Sequence, residues 1–175
     1  MTLEYAVVLR FDDNSTEQIQ RITEYIADCM ENDYMISNHI PPHITIADFN
    51  TDRDDEINDV AADIAASLSK FDITFASVGI FNPNVVFAAP VMNENLLNAC
   101  KTANQILQKK GFECNRIYTP YSWVPHISLA VKLNKASVQN AVKAALEKFQ
   151  PIVVFVEKLS VAVCNPYKEI KVFGL

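Results

Sequence analysis

Pro42-His43-Ile44-Thr45-Ile46-Ala47 and Pro125-His126-Ile127-Ser128-Leu129-Ala130 are one six-residue phrase written twice, with only Thr/Ser and Ile/Leu exchanged. The copies lie 83 residues apart, His43 to His126, and at the same spacing Ser77-Val78-Gly79-Ile80-Phe81-Asn82-Pro83 returns as Ser160-Val161-Ala162-Val163-Cys164-Asn165-Pro166. Two matches at one offset identify an internal duplication. The first copy covers about residues 1–83 and the second about 84–175. Nothing between them reads as a Gly/Ser-rich linker, so the halves are expected to pack as a single domain over 1–175.

Outward from the motifs, the periodicities alternate. Residues 15–31 place Ile19, Ile22, Ile26 and Cys29 at helical spacing behind a Ser15-x-x-Gln18 capping box. Thr51 is expected to cap a second helix whose Ile57, Val60, Ala61, Ile64, Ala65 and Leu68 form one apolar stripe. Asn93 and Asn134 precede two more helices in the second copy. Strands are expected at 5–11, 43–48, 71–81, 85–89, 126–131, 152–164 and 169–173, from their β-branched and aromatic runs. Asn82-Pro83-Asn84 and Asn165-Pro166-Tyr167 signal hairpins that fold a long strand onto a short one. Helices alternating with hairpins predict an α+β fold of largely antiparallel sheet with helices on one face.

On a strand, residues two apart share a face. His43 and Thr45 therefore point one way and Ile44 and Ile46 the other; His126 and Ser128 oppose Ile127, Leu129 and Val131. A proline before each histidine suits a strand's first residues, where a missing N–H breaks no ladder bond. If an approximate twofold axis relates the copies, the two polar faces meet across a cleft. Two imidazoles, each with a pKa near 6.5, then supply a base and an acid, and two hydroxyls can donate to the oxygens of a phosphate.

Composition narrows the partners. The net charge of −6, from 21 acidic and 15 basic side chains, disfavours a protein that grips long nucleic acid. Three glycines and no glycine-rich phosphate loop remove the usual NTP and dinucleotide signatures. Four scattered cysteines form no C-x-x-C pair, so free thiols are expected. No apolar run approaches the ~20 residues that span a bilayer. Met1-Thr2-Leu3-Glu4-Tyr5 lacks the marks of a secretory leader, which leads us to expect a cytoplasmic protein. Metal binding by the two histidines is disfavoured, because catalytic zinc ordinarily has three protein ligands. We therefore expect neither metal nor cofactor.

The paired H-x-[TS] motifs, each inside an apolar strand, resemble the two-histidine (2H) phosphoesterase superfamily, which includes the 2′-5′ RNA ligase and cyclic phosphodiesterase families. The similarity extends through the layout of almost the whole chain, including the run from Gly111-Phe112 to Ala130. It implies a duplicated, two-lobed fold of mostly antiparallel sheets with helices on the outer faces and a central groove. It also implies metal-independent hydrolysis of 2′,3′-cyclic or related phosphates, with His43, Thr45, His126 and Ser128 as the working residues. The expected substrate is a small nucleotide or RNA terminus, taken by a monomer. A 2′-5′ RNA ligase or RNA-end processing enzyme using the same residues is an alternative, as is a module that binds a nucleotide or RNA end without turnover.

Further candidates come from the residues themselves. Tyr118, Tyr121 and Trp123 gather before the second motif, where rings could stack on a base. Arg10 and Arg116 could neutralise phosphate; Arg10 alternates against Val7, Leu9 and Phe11. His39 lies outside the repeat and is read as a loop residue. The acidic run from Asp52 to Asp59 is read as helix-start charge that complements the dipole.

Overall fold

A computed structural model describes residues 2–81 and 83–175. Seven strands, β1 (Leu3–Phe11), β2 (Ile44–Thr51), β3 (Phe71–Phe81), β4 (Val85–Pro90), β5 (Ile127–Ala130), β6 (Ile152–Val163) and β7 (Lys168–Gly174), form one antiparallel sheet. The helices are α1 (Asp13–Met30), α2 (Tyr34–Ser37), α3 (Ile57–Ala66), α4 (Glu94–Lys109) and α5 (Ser137–Lys148). The strand order is β2-β1-β6-β3-β4-β5, with β7 also paired to β6.

The length of β6 divides this sheet into two lobes. Its first residues, Ile152 to Val156, pair with β3, whereas residues 158–163 pair with β7, and β1 takes 156–163 on the opposite edge. One lobe is thus β2-β1-β6-β7 and the other is β5-β4-β3 with the start of β6. These lobes do not coincide with the sequence copies: β6 joins β1 of the first copy, and β3 joins β4 of the second. Helices cross over in the same way. α1 packs on α5 and β5, while α4 packs on α3 and β2. An apolar core containing Val7, Leu9, Ile44, Ile73, Leu96, Leu107, Ile127 and Leu159 holds the helices to the sheet.

Around the motif strands the two copies carry the same irregularity. The β1–β2 register slips between Val7 and Val8, so that Val8 faces Thr45 and Val7 faces Ala47. The β4–β5 register slips between Val86 and Phe87, where Phe87 faces Ser128 and Val86 faces Ala130. Ile46 and Leu129 are the extra residues of these bulges, and both are buried. A bulge shifts the alternation by one. Ala130 consequently joins the core in place of Val131, which was expected there, and Val131 is only half-buried.

Strand pairing also revises one equivalence. Leu9 faces both Ile44 and Leu159; Ala88 faces both Ile127 and Val78. The register therefore matches Val78 with Leu159 and Gly79 with Ser160, two residues away from the alignment by sequence identity. A shift of two preserves which face each side chain takes.

Helix starts differ from the expected caps. Asp12, not Ser15, caps α1 by accepting from the Ser15 N–H, and the Ser15 hydroxyl instead accepts the N–H of Phe155 across the lobes. Thr51 ends β2, and a 3-10 turn over Asp54–Glu56 intervenes before α3. Asn93 caps α4 as expected, bonding the Leu96 N–H at 2.8 Å. The turn expected at 82–84 joins β3 to β4, with Asn82 itself outside the described residues.

Candidate active site

Each motif strand begins one residue after its histidine, at Ile44 and Ile127. Both rings turn back on the chain that precedes them. His43 Nδ1 lies 2.8 Å from the Pro41 carbonyl and His126 Nδ1 lies 2.9 Å from the Val124 carbonyl. A carbonyl can only accept, so Nδ1 carries the proton in both rings and Nε2 is the free nitrogen. The two histidines share one tautomer because they share one local geometry.

Protein atoms surround both imidazoles on most sides while leaving each partly open to solvent. Burial pushes the pKa of His43 below its usual range; Arg10 and His126 push it in the same direction, whereas the Pro41 carbonyl and Glu169 oppose them. Burial likewise depresses His126, against the Val124 carbonyl. A positive charge on His126 adds a small push in the same direction as burial at His43. Thr45 and Ser128, two residues past each ring on the same face, are each half-buried.

Sheet register shows what else lies on this face. In β1, Val7, Leu9 and Phe11 enter the helix-covered core, which leaves Ala6, Val8 and Arg10 on the side of Thr45. Arg10 reaches across β6 to an ion pair with Glu169 on β7, and its Nε is buried without a partner. The Tyr167 hydroxyl and the Ser160 hydroxyl are likewise buried and unpartnered. Burial, then the charge of Glu169, lifts the Tyr167 phenol to about 12. Ser160 faces Val8, which in turn faces Thr45, so a row of the sheet links this orphaned hydroxyl to the first motif.

The other lobe supplies aromatic rings. Phe81 and Phe87 stack with centroids 4.3 Å apart, and His126 meets them at 4.8 Å edge to face and 5.4 Å tilted. Phe87 lies over Gly79, where an added Cβ would stand 2.3 Å from the ring. Only glycine leaves room for that approach, and its backbone is ordinary strand.

Among the residues singled out by sequence, Thr45 and Arg10 share a face of the first lobe, and Thr45 and Ser128 take equivalent register positions beside their histidines in the two lobes. Trp123 takes a different position: it is 8% exposed, and its indole N–H donates to the Thr45 carbonyl at 2.9 Å. It braces the first motif strand from the loop that leads into the second. Tyr118 is half-buried, lifted to about 12 by burial and then by the charges of Asp48, Cys164 and Glu4. Tyr121, 84% exposed, and Arg116 line a separate open cleft of about 1080 Å3 with Lys101, Asn104 and Pro120; neither motif contributes to its wall. Glu169, Tyr167, Ser160, Phe81 and Phe87 were not picked out by sequence. The alternation of β4 could have exposed Phe87, since Val86 and Ala88 take the core face.

A family description, the 2′-5′ RNA ligase superfamily, matches residues 11–165. No curated protein sequence matches the chain. Among solved structures, Escherichia coli LigT complexed with 3′-AMP aligns at a TM-score of 0.67 and 12% identity, over 100% of this chain and 99% of that one. TT0787 of Thermus thermophilus aligns at 0.65 and 14%, over 99% and 98%. The MHV ns2 PDE domain aligns at 0.52 and 14%, over 77% and 86%. At these identities the likeness establishes a shared fold, while the family match covers most of the chain and includes both histidine motifs. The chain belongs to the 2′-5′ RNA ligase superfamily.

Proposed function

We propose that the protein is a metal-independent phosphodiesterase that opens 2′,3′-cyclic or related cyclic phosphates of nucleotides or RNA ends. The observation that carries this reading is the pair of histidines, each at the head of a matched motif strand in one sheet, each anchored through Nδ1 to a backbone carbonyl and each left with a free Nε2. One Nε2 takes a proton from water as its oxygen attacks phosphorus. The other, protonated, gives its proton to the ribose oxygen as the P–O bond breaks, and the product is a phosphomonoester. Thr45, Ser128 and Arg10 stabilise the charge on the non-bridging oxygens. Because the two lobes offer near-equivalent sets, the ester's orientation decides which ring is base and which is acid. The 3′-AMP, ATP and NADP+ named in the LigT structures support a small nucleotide as the ligand class.

Replacing His43 and His126 singly with alanine and assaying 2′,3′-cyclic nucleotides, and oligonucleotides that end in one, tests the reading. Each variant is expected to lose at least about 100-fold in kcat. Retained activity in both variants would refute it. The family's description favours one second reading, the joining of RNA ends through a 2′-5′ bond by the same residues. Paired RNA fragments that yield a joined product faster than a hydrolysed one would select that reading.

A further inference from the structure

On the same sheet face as Thr45, but away from the histidines, three ligand-bearing side chains converge. Donor atoms of Glu4, Asp48 and Cys164 all lie within 4.8 Å of one another. Register explains the meeting. Asp48 and Ala162 both face Ala6, and the Cys164 N–H donates to the Glu4 carbonyl at 2.9 Å, so β1, β2 and the exit of β6 each bring one donor to a common face. Asp48 is 5% exposed; its Oδ2 accepts from Cys164 Sγ at 3.8 Å, whereas its Oδ1 is buried with no partner. Among the described residues, neither Glu4 nor Asp48 forms a salt bridge. Two carboxyl groups and a thiol thus abut without a compensating cation, and burial, then the charge of Glu4, lifts the Asp48 carboxyl to about 6. Leaving an atom such as Asp48 Oδ1 unsatisfied costs about 1–3 kcal/mol, and a cation held between the three donors would satisfy it.

We propose that Glu4, Asp48 and Cys164 bind one divalent cation, with Zn2+ as the ion best suited to a thiolate and two carboxylates. Three protein ligands leave a fourth tetrahedral position for water, supplied through the exposed Glu4. Binding replaces the Sγ–H bond by an Sγ–metal bond, and the proton leaves to solvent. Asp48 follows Thr45 by three strand residues, on the order of 10 Å at the usual rise, which keeps the cation out of contact with a phosphate held by the histidines. Its effect is to tie β1, β2 and the exit of β6 together. It also secures the run before the second motif, because the Asn115 N–H donates to the Asp48 carbonyl at 2.7 Å. This site stands whether or not the phosphodiesterase reading does.

The test is titration of the full chain, stripped of metal by a chelator and then freed of it, with Co2+ and afterwards Zn2+. A 1:1 complex with a thiolate-to-cobalt charge-transfer absorption is expected, displaced by Zn2+. The band disappears in Cys164→Ser, and the affinity falls at least about 10-fold in Glu4→Gln, an exposed position whose change leaves the fold intact. Zn2+ at a hundredfold excess over its Kd raises Tm by about 5–10 °C. His43→Ala and His126→Ala leave the titration unchanged. No charge-transfer band, equal affinity in Glu4→Gln and Cys164→Ser as in the parent, or loss of binding in the histidine variants overturns the proposal.

Discussion

Gly79→Ala probes the aromatic wall that holds His126. A Cβ at residue 79 would stand 2.3 Å from Phe87 Cζ and 2.5 Å from Cε2, closer than the 3.0 Å below which real Cβ contacts essentially do not occur. The ring must retreat by roughly 1 Å to regain van der Waals contact. It cannot retreat freely, because Phe81 and His126 pack on it at centroid distances of 4.3 and 5.4 Å. Forced overpacking of this kind costs about 1–3 kcal/mol. For a chain of this length that lowers Tm by roughly 2–12 °C. Displacing an imidazole by about 1 Å can cost up to about 100-fold in rate, and we expect kcat/KM on a 2′,3′-cyclic nucleotide to drop by about 10- to 100-fold. Shortening the obstructing side chain in Gly79→Ala/Phe87→Leu should recover part of the loss, making the pair non-additive. Thermal unfolding and steady-state kinetics of the two single variants and the double variant form the assay. Unchanged Tm and kcat/KM in Gly79→Ala, or strict additivity in the double variant, would refute the reasoning.

Two further outcomes follow from the site's geometry. In the free protein both histidines titrate below 6.5, by NMR of their ring protons; His126→Ala and Arg10→Gln each raise the pKa of His43, and Glu169→Gln lowers it. The reverse order of shifts would contradict the placement of these charges. Since the folded pKa values lie below the unfolded one, the unfolded chain binds protons more readily. The stability contributed by the neutral rings is complete above pH 6.5 and is lost as pH falls through the depressed values; His43→Asn reduces that loss in denaturant titrations. Trp123→Phe keeps most of the buried ring but removes the donor to the Thr45 carbonyl. It is expected to cost about 1–2 kcal/mol of stability by urea unfolding, and a variant as stable as the parent would remove Trp123 from its bracing role.

Much of this fold was legible because its signals are local. All seven strands lie where β-branched and aromatic runs place them, and β3 is found at its expected limits, Phe71–Phe81. Arg10 was legible for the same reason: strand alternation alone separates it from Val7, Leu9 and Phe11. The bulges at Ile46 and Leu129 were not, since an apolar residue reads the same whether it continues an alternation or interrupts it. Glu169, Tyr167 and Ser160 escaped because they reach the first motif only through the pairing of β1 with β6 and of β6 with β7, which composition does not encode. Trp123 shows the opposite difficulty. An aromatic residue near a motif reads as a substrate platform, and only a tertiary hydrogen bond reveals that its indole is occupied.

The exchange of strands between copies explains how a duplicated sequence brings both motif strands into one sheet. Had each copy folded on itself, β1 and β2 would pair with β3, and each histidine would belong to a sheet of its own. Instead β6 lies beside β1, and β3 lies beside β4. The long β6 then runs through both lobes, pairing with β3 at its start and β7 further along, so the two sheets are continuous and their motif faces are held in one frame. The matched bulges set Thr45 and Ser128 opposite Val8 and Phe87, equivalent positions in the two lobes. What differs between those partners is size. Val8 shares its strand face with Arg10, which pairs with Glu169, whereas Phe87 sets a ring against His126. Near-symmetry in the backbone thus delivers two equivalent imidazoles, and the side chains on the neighbouring strand make their surroundings unequal: one faces fixed charge and the other an aromatic wall. Burial lowers the pKa of both rings, and the charges of Arg10 and Glu169 bear in addition on His43, so neutralising residue 10 or 169 separates two groups that the backbone makes alike.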